Sequence, residues 1–134
     1  MLNKEDIKIK IKSLNFPVDT YALGTSGSLV LFGVKEWAND LDIDCDLTLY
    51  DSFLEKGYKE WVYTPKEGHF ARIIDLNDDV QLIRKENLNK DDIIFIDGIP
   101  VYNIESVRRF KGFLGREKDK KDIELIDKWL KDKL

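Results

Sequence analysis

The fold is decided by residues 24–47, which read GTSGSLVLFGVKEWANDLDIDCDL. The stretch opens on the small residues 24–28, continues into the apolar run 29–32, and closes on the alternating segment 40–47. Small residues between two apolar segments are typical of a tight turn that leads from a strand into a helix. Strict alternation of apolar and acidic residues predicts a strand over 41–47.

The alternation places a row of carboxylates on one face of this strand. The apolar residues are expected to face the core, and the other face carries Asp40, Asp42, Asp44 and Asp46. Neighbours on one face of a strand lie about 6.7 Å apart, and two such charges repel by about 2.5 kcal/mol at an effective dielectric of 20. Either a hard divalent ion such as Mg²⁺ compensates this repulsion, or the row is the solvated face of an edge strand.

The turn at residues 24–28 has the composition of an anion-binding connection. Its glycines permit close backbone approach, and the helix that follows offers free N–H groups at its N-terminus. Thr25, Ser26 and Ser28 add hydroxyl groups. Neither the Walker A nor the Gly-x-Gly-x-x-Gly pattern is present, and an ordinary strand-to-helix turn is the alternative interpretation.

The remaining sequence predicts an α+β fold in a single domain, 1–134. Apolar spacing predicts a helix over 3–15 with Asn3 as its N-cap, although the alternation of Ile7, Ile9 and Ile11 also fits a strand. Further strands are predicted at 19–25, 58–64, 69–76, 80–86, 93–96 and 99–102, and further helices at 48–56, 104–114 and 117–132. We therefore expect a mixed β-sheet flanked by helices, with helices at the C-terminus.

Composition excludes several classes of protein. The chain has 134 residues, of which 43% are hydrophobic and 36% charged, so it is neither disordered nor of low complexity. Its single cysteine, Cys45, excludes an internal disulfide, and its single histidine, His69, removes most histidine-based metal sites. No apolar run approaches about 20 residues, and no signal peptide is recognisable, so we expect a cytoplasmic protein.

Charge is distributed unevenly along the chain. Residues 40–51 hold five aspartates and no Lys or Arg, whereas residues 108–121 hold seven basic residues against two acidic ones. The two strips could face one another in the fold and together bind a ligand that carries both phosphate and metal. The alternative is that residues 108–121 form an ordinary solvated helix face.

Two motifs together resemble the signature of the DNA polymerase β-like nucleotidyltransferase superfamily. Its pattern is Gly-Ser or Gly-Gly, about a dozen residues, then Asp-x-Asp, and here Gly27-Ser28 precedes Asp40-x-Asp42. Residues 115–126, GREKDKKDIELI, are similar to a Lys-Asp-x-x-Asp helix of small bacterial nucleotidyltransferases, which include toxin–antitoxin system members and lincosamide nucleotidyltransferase-like proteins. The resemblance covers residues 18–130 and implies a nucleotidyltransferase-like sheet.

The resemblance assigns roles to the first motif. Gly27 and Ser28, with Ser26 beside them, would bind the triphosphate of a nucleotide such as ATP. Asp40 and Asp42 would be catalytic carboxylates that hold Mg²⁺ against those phosphates. The reaction would move a nucleoside monophosphate to a hydroxyl group and release pyrophosphate.

The second motif would complete the site. Lys118 and Arg116 would contact phosphate. Asp119 or Asp122 would orient Lys118 or assist deprotonation of the acceptor. The alternative is helix-surface pairing, since Lys118 and Asp122 are spaced i,i+4.

The superfamily usually carries a third carboxylate on a later strand, and two positions could supply it. Asp75 has the right chemistry, but Gln81 fits the expected topology better, and an amide cannot act as a general base. The sequence therefore leaves two functions open. One is an Mg²⁺-dependent nucleotidyltransferase that acts on a hydroxyl of a small molecule, protein or RNA, and the other is a catalytically degraded module that binds a nucleotide or a partner.

Two further possibilities concern partners and the acidic strand. The chain has little room for a separate substrate domain, so a homodimer or a toxin–antitoxin type of partner could complete the pocket. A purely structural α+β domain with an acidic strand is the remaining interpretation.

Overall fold

Seven strands form one mixed sheet in a computed structural model that describes residues 1–134. The strands are β1 (Tyr21–Leu23), β2 (Leu41–Cys45), β3 (Glu60–Lys66), β4 (His69–Asp75), β5 (Val80–Arg84), β6 (Ile93–Ile96) and β7 (Ile99–Tyr102). Their order across the sheet is β3-β4-β5-β2-β1-β7-β6. Strand β2 is central, antiparallel to β1 and parallel to β5.

Five α-helices and one short 3₁₀ turn accompany the sheet. The helices are α1 (Lys4–Leu14), α2 (Thr25–Phe32), α3 (Leu47–Glu55), α4 (Ile104–Leu114) and α5 (Glu117–Asp132), and the 3₁₀ turn covers Lys90–Asp92. At the N-terminus the helix prevails over the alternative strand, because Asn3 and Asp6 form a capping box. The predicted α+β class, with a mixed sheet and C-terminal helices, is confirmed. None of these helices combines the length and the apolar character needed to cross a membrane.

Strand β2 presents its apolar side chains to the core. Leu41, Ile43 and Cys45 are completely buried, in a cluster to which α1 and α3 also contribute. Each fully buried aliphatic side chain of this kind stabilises the fold by about 1.5–3 kcal/mol. A second cluster joins α2 to α4 and α5 through Leu29, Val107 and other apolar residues. The two clusters hold α2 and the C-terminal helices around β2.

The strand ends earlier than the sequence pattern predicts. Leu47 was expected to be its last core-facing residue, but Leu47 is the first residue of α3. The reason is that Asp46 adopts an extended conformation and caps that helix, since its side chain accepts a hydrogen bond from the backbone N–H of Leu49 at 2.8 Å.

Sheet register places three polar side chains in a row. Asp42 on β2 is paired with Gln81 on β5, and Gln81 is paired with Asp75 on β4. In-register partners on adjacent strands project from the same face of a sheet. The row Asp42–Gln81–Asp75 therefore crosses three neighbouring strands on one face.

Candidate active site

The N-terminus of α2 lies directly beside Asp42. The backbone N–H of Gly24 donates to the carbonyl oxygen of Asp42 at 2.8 Å. A Cβ atom at position 24 would lie 3.1 Å from that oxygen, so this close approach favours glycine. Gly24 is the N-cap of α2 and supplies no side-chain cap. The first N–H groups of the helix, those of Thr25, Ser26 and Gly27, therefore have no acceptor within it and form an anion-binding terminus.

The Ser28 side chain faces the interior. Its hydroxyl donates to the carbonyl oxygen of Leu23 at 2.7 Å, and the residue is fully buried. A Cβ atom at Gly27 would lie 3.0 Å from the Leu23 side chain and 3.1 Å from the Leu41 side chain. We expected the Ser28 hydroxyl to contact phosphate. The structure corrects this expectation, because the hydroxyl joins α2 to β1. The Ser26 side chain is half-buried and makes no hydrogen bond within the protein.

The carboxylates of Asp40 and Asp42 have no protein partner. Neither makes a hydrogen bond or an ion pair, and the oxygens of half-buried Asp42 remain accessible to solvent. Burial, together with the negative charges of Asp40 and Asp44, raises the pKa of Asp42 to about 6, whereas the charges of Lys111 and Lys118 act in the opposite direction. The pair is thus a local excess of negative charge that faces basic residues of α4 and α5.

The predicted row of four aspartates does not share one open face. Asp44 is buried, accepts a hydrogen bond from the Tyr102 hydroxyl and lies 4.0 Å from the Lys85 ammonium. Burial raises the pKa of Asp44, and those two partners oppose the rise. Since Asp46 caps α3, two of the four carboxylates are compensated by the protein itself, and only Asp40 and Asp42 remain for a ligand.

Gln81 occupies the position beside Asp42, and Asp75 lies one strand further away. The Gln81 side-chain amide donates to Asp75 Oδ1 at 3.0 Å, and the indole N–H of Trp61 donates to the same oxygen at 3.2 Å. Asp75 Oδ2 makes no hydrogen bond, and Asp75 forms no ion pair. The register therefore places an amide next to Asp42, and the carboxylate of Asp75 lies one strand beyond it on the same face.

Asp119 is completely buried and bound to Arg116. The guanidinium donates to its two oxygens at 2.6 and 3.1 Å, and the backbone N–H of Arg116 donates at 3.1 Å. Burial alone would raise the pKa of Asp119, but the hydrogen bonds and positive charge of Arg116 hold it below its usual range. The remaining guanidinium nitrogen donates to the Tyr63 hydroxyl at 3.3 Å. Arg116, which was expected to bind phosphate, directs guanidinium N–H groups to Asp119 and Tyr63, while its side chain stays 39% exposed.

Asp122 is held by two lysines. Its carboxylate lies 2.7 Å from the Lys111 ammonium and 3.1 Å from that of Lys35. Lys111 is itself buried and lies 3.8 Å from Asp119. Asp122 does not form the i,i+4 pair with Lys118, which is exposed and makes no ion pair. The structure thus corrects one expected role of Asp119 and Asp122: both carboxylates pair with other cations of the protein, and neither orients Lys118.

Lys111 is the site residue that sequence reasoning missed. Its signal is visible in the sequence, since position 111 falls at helical spacing from the buried residues Ile104 and Val107. A lysine on the apolar face of a helix requires a buried anion as its partner. That partner comes from α5, and no local pattern reveals it.

The donor set at Asp40 and Asp42 fits Mg²⁺. Nowhere in the chain do three His, Cys, Asp or Glu side chains converge as a metal-binding group. Magnesium does not need such a cage, since it is commonly bound by one or two carboxylates together with water and substrate phosphates. Two adjacent carboxylates without partners, beside an uncapped helix N-terminus, supply that arrangement.

Comparison with known proteins finds one distant structural likeness. No protein-family model matches the chain, and no curated protein matches it. The fold is similar to the crystal structure of JHP933 from Helicobacter pylori, with 18% sequence identity and a TM-score of 0.48. The match covers 81% of this chain and 54% of JHP933, so the chain spans about half the length of that protein.

Proposed function

We propose that this chain binds a nucleoside triphosphate with Mg²⁺ and transfers its nucleoside monophosphate to a hydroxyl group. The observation that carries the proposal is the unpartnered pair Asp40 and Asp42 beside the uncapped N-terminus of α2. Carboxylates attract a divalent ion and free N–H groups attract phosphate. A metal–polyphosphate complex needs both kinds of group next to each other, and the cytoplasm supplies Mg²⁺ and nucleotides.

Each group has a defined task in this proposal. Asp40 and Asp42 would hold Mg²⁺, which neutralises charge on the phosphates. The N–H groups of residues 25–27 would bind phosphate oxygens. Lys118 adds a mobile positive charge, and the charge of Lys111 is fixed by its ion pair with Asp122. These contributions position the triphosphate and stabilise the charge that develops on it.

The chemical step is an in-line displacement. The acceptor hydroxyl oxygen attacks the α-phosphorus, the bond from that phosphorus to the oxygen bridging to the β-phosphorus breaks, and pyrophosphate leaves. The hydroxyl proton must pass to a base. Gln81 cannot take it, so Asp75, whose Oδ2 is free, is the carboxylate that this chain offers for the task.

A second candidate function follows from Gln81. An amide in register with Asp42 leaves the metal ligands without a third carboxylate beside them. A module that binds the nucleotide but transfers nothing, and that acts through a partner chain, would have this arrangement. The two functions share the same binding site and differ only in turnover.

Binding is tested first, by thermal shift with ATP, GTP, CTP and UTP, each with and without Mg²⁺. We expect a rise in melting temperature that requires Mg²⁺ and that disappears in Asp42→Asn. The matched control is Asp127→Asn, which removes a carboxylate from an exposed ion pair with Arg108 on α4. Full Mg²⁺-dependent binding by the double variant Asp40→Asn/Asp42→Asn would contradict the proposal.

Transfer is tested next, with nucleotides labelled at the α-phosphate. RNA, protein and small-molecule fractions serve as separate acceptor pools, and the Asp42→Asn variant provides the background. Label that enters one pool and depends on Asp42 supports the transferase. Mg²⁺-dependent binding without labelling of any pool favours the second candidate.

A further inference from the structure

Strand β3 carries an aromatic pair next to the candidate site, exposed Trp61 and half-buried Tyr63. Trp61 and Tyr63 occupy alternate positions of the strand, and their rings stack with centroids 6.1 Å apart and planes 25° apart. Trp61 is 41% exposed. Trp61 is the register partner of Ile73, which shares a face of β4 with Asp75. The pair therefore extends the row Asp42–Gln81–Asp75 toward the edge of the sheet.

Polar groups of the site hold both rings in place. The indole N–H of Trp61 donates to Asp75 Oδ1, and the Tyr63 hydroxyl accepts a hydrogen bond from Arg116. Arg116 is in turn fixed by Asp119. An exposed aromatic ring that is oriented at its polar end loses little rotamer freedom when a ligand stacks on it. The pair is thus a preorganised flat surface rather than a loose apolar side chain.

A free hydrogen-bond acceptor stands beside this surface. Asp75 uses only Oδ1 to bind Trp61 and Gln81, which leaves Oδ2 open. Strands lie about 4.8 Å apart, so the β4 position of Asp75 is about 10 Å across the sheet from that of Asp42 on β2. A nucleoside attached to phosphates bound at Asp42 can reach across this separation.

We propose that Trp61, supported by Tyr63, stacks on a nucleobase, and that Asp75 Oδ2 accepts a hydrogen bond from a hydroxyl or amino group of the same nucleoside. This inference rests on the proposed function and deepens it, because it defines the ligand as a nucleoside rather than as polyphosphate alone. We assign the nucleoside to the bound triphosphate, because Asp75, which lies beside this surface, is about 10 Å across the sheet from Asp42, within reach of a nucleoside whose phosphates are bound there.

The test compares Trp61→Leu with the wild-type chain by calorimetry. The ligands are the nucleoside triphosphate that binds most tightly and inorganic tripolyphosphate, both with Mg²⁺. Stacking of a base on an aromatic side chain is worth about 1–3 kcal/mol, so we expect Trp61→Leu to weaken nucleotide binding by about 5- to 150-fold. Tripolyphosphate binding should not change, because it lacks the base.

Val62→Ala is the matched control. Val62 is exposed on the same strand but points to the opposite face. Equal losses in Trp61→Leu and Val62→Ala would overturn the inference, and so would a wild-type chain that binds tripolyphosphate as tightly as it binds every nucleotide. Melting temperatures of both variants close to that of the wild type show that the comparison concerns folded protein.

The failure of this inference is distinguishable from failure of the proposed function. If Asp42→Asn keeps full affinity for tripolyphosphate and nucleotide, the proposed metal–phosphate site is wrong, whatever Trp61→Leu does. If Asp42→Asn loses both ligands while Trp61→Leu loses neither, the phosphate site stands and the nucleoside surface is wrong. The free nucleoside tests the assignment to the triphosphate: competition with the triphosphate supports it, and simultaneous binding of the two would contradict it.

Discussion

Two pairs of aspartates, one at the start of β2 and one on α5, differ in whether the protein compensates their charge. Asp119 and Asp122 are buried, and each is bound to a cation of the protein at 2.6–2.7 Å. Asp40 and Asp42 make no such contact, and Asp42 has a raised pKa. All four residues are aspartates, so residue type alone does not distinguish the two pairs. The comparison teaches that a carboxylate whose charge is matched inside the fold supports the structure, whereas an unmatched one is free to bind a ligand.

Removing the charge of Asp119, which is compensated by cations of the protein, should have the largest effect on stability. Asp119→Asn leaves Arg116 and Lys111 without their full counter-charge in a buried site, and removing one partner of a buried ion pair costs about 3–5 kcal/mol. Urea denaturation should show a loss of that size in the free energy of unfolding. Asp127→Asn, on the exposed face of the same helix, should cost no more than about 1 kcal/mol. Equal losses in the two variants would show that burial of the Asp119 network contributes nothing.

Removing the unmatched charge should have the opposite sign. Because the pKa of Asp42 is raised to about 6 from an ordinary value of 3.8, its ionisation opposes folding. The penalty is absent below pH 3.8, develops as pH rises, and is complete above about pH 6. Without Mg²⁺, Asp42→Asn should therefore raise the free energy of unfolding at pH 7 by about 2–3 kcal/mol and leave it unchanged near pH 3.5. A variant that is destabilised at pH 7 would refute this description of Asp42.

Replacing Gln81 with a carboxylate should increase the uncompensated negative charge beside Asp42. Gln81→Glu places a third negative charge between Asp42 and Asp75, so we expect a loss of about 1–2 kcal/mol in the absence of metal. Mg²⁺ should restore the lost stability, because the added carboxylate faces the proposed metal site. Denaturation with and without Mg²⁺ measures both effects. The same loss at every Mg²⁺ concentration would place the metal elsewhere.

The smallest effect concerns the two aspartates that flank β2. Asp46→Ala removes the N-cap of α3 and should cost about 1 kcal/mol, without any change in Mg²⁺ affinity. Asp40→Ala removes no protein contact and should cost almost nothing in stability while weakening Mg²⁺ binding. Thermal denaturation and metal titration of both variants check this contrast, and a reversal of the two results would contradict it.

Local signals made the elements predictable from the sequence. Asn3 and Asn103 cap helices, Gly115 ends α4 in the left-handed region, and each does so through residues no more than four positions away. The position of Asp42 next to the 24–28 turn was also predictable, because β1 and β2 flank the short helix α2. Short-range geometry thus accounts for the individual elements and for the position of Asp42.

The rest depends on contacts between distant parts of the chain. Asp44 contacts Tyr102 across 58 positions, and Asp122 pairs with cations of α4 and of the α2–β2 connection. The direction of the Ser28 hydroxyl follows from where α2 begins. Trp61 is exposed because β3 is the edge strand of the sheet. The alternation and spacing of residues indicate which side chains share a face of a strand or helix. They do not indicate which distant side chain contacts them.

Paramagnetic broadening by Mn²⁺, used in place of Mg²⁺ with a saturating nucleoside triphosphate, tests the metal site most directly. In the amide NMR spectrum of the wild-type chain, signals of residues 24–28 and 40–43 should broaden first, and Asp42→Asn should abolish the effect. Signals of residues 117–122 should broaden less, because Asp119 and Asp122 are already matched by cations. Broadening that begins elsewhere, or that survives in Asp42→Asn, would contradict a metal site at Asp40 and Asp42.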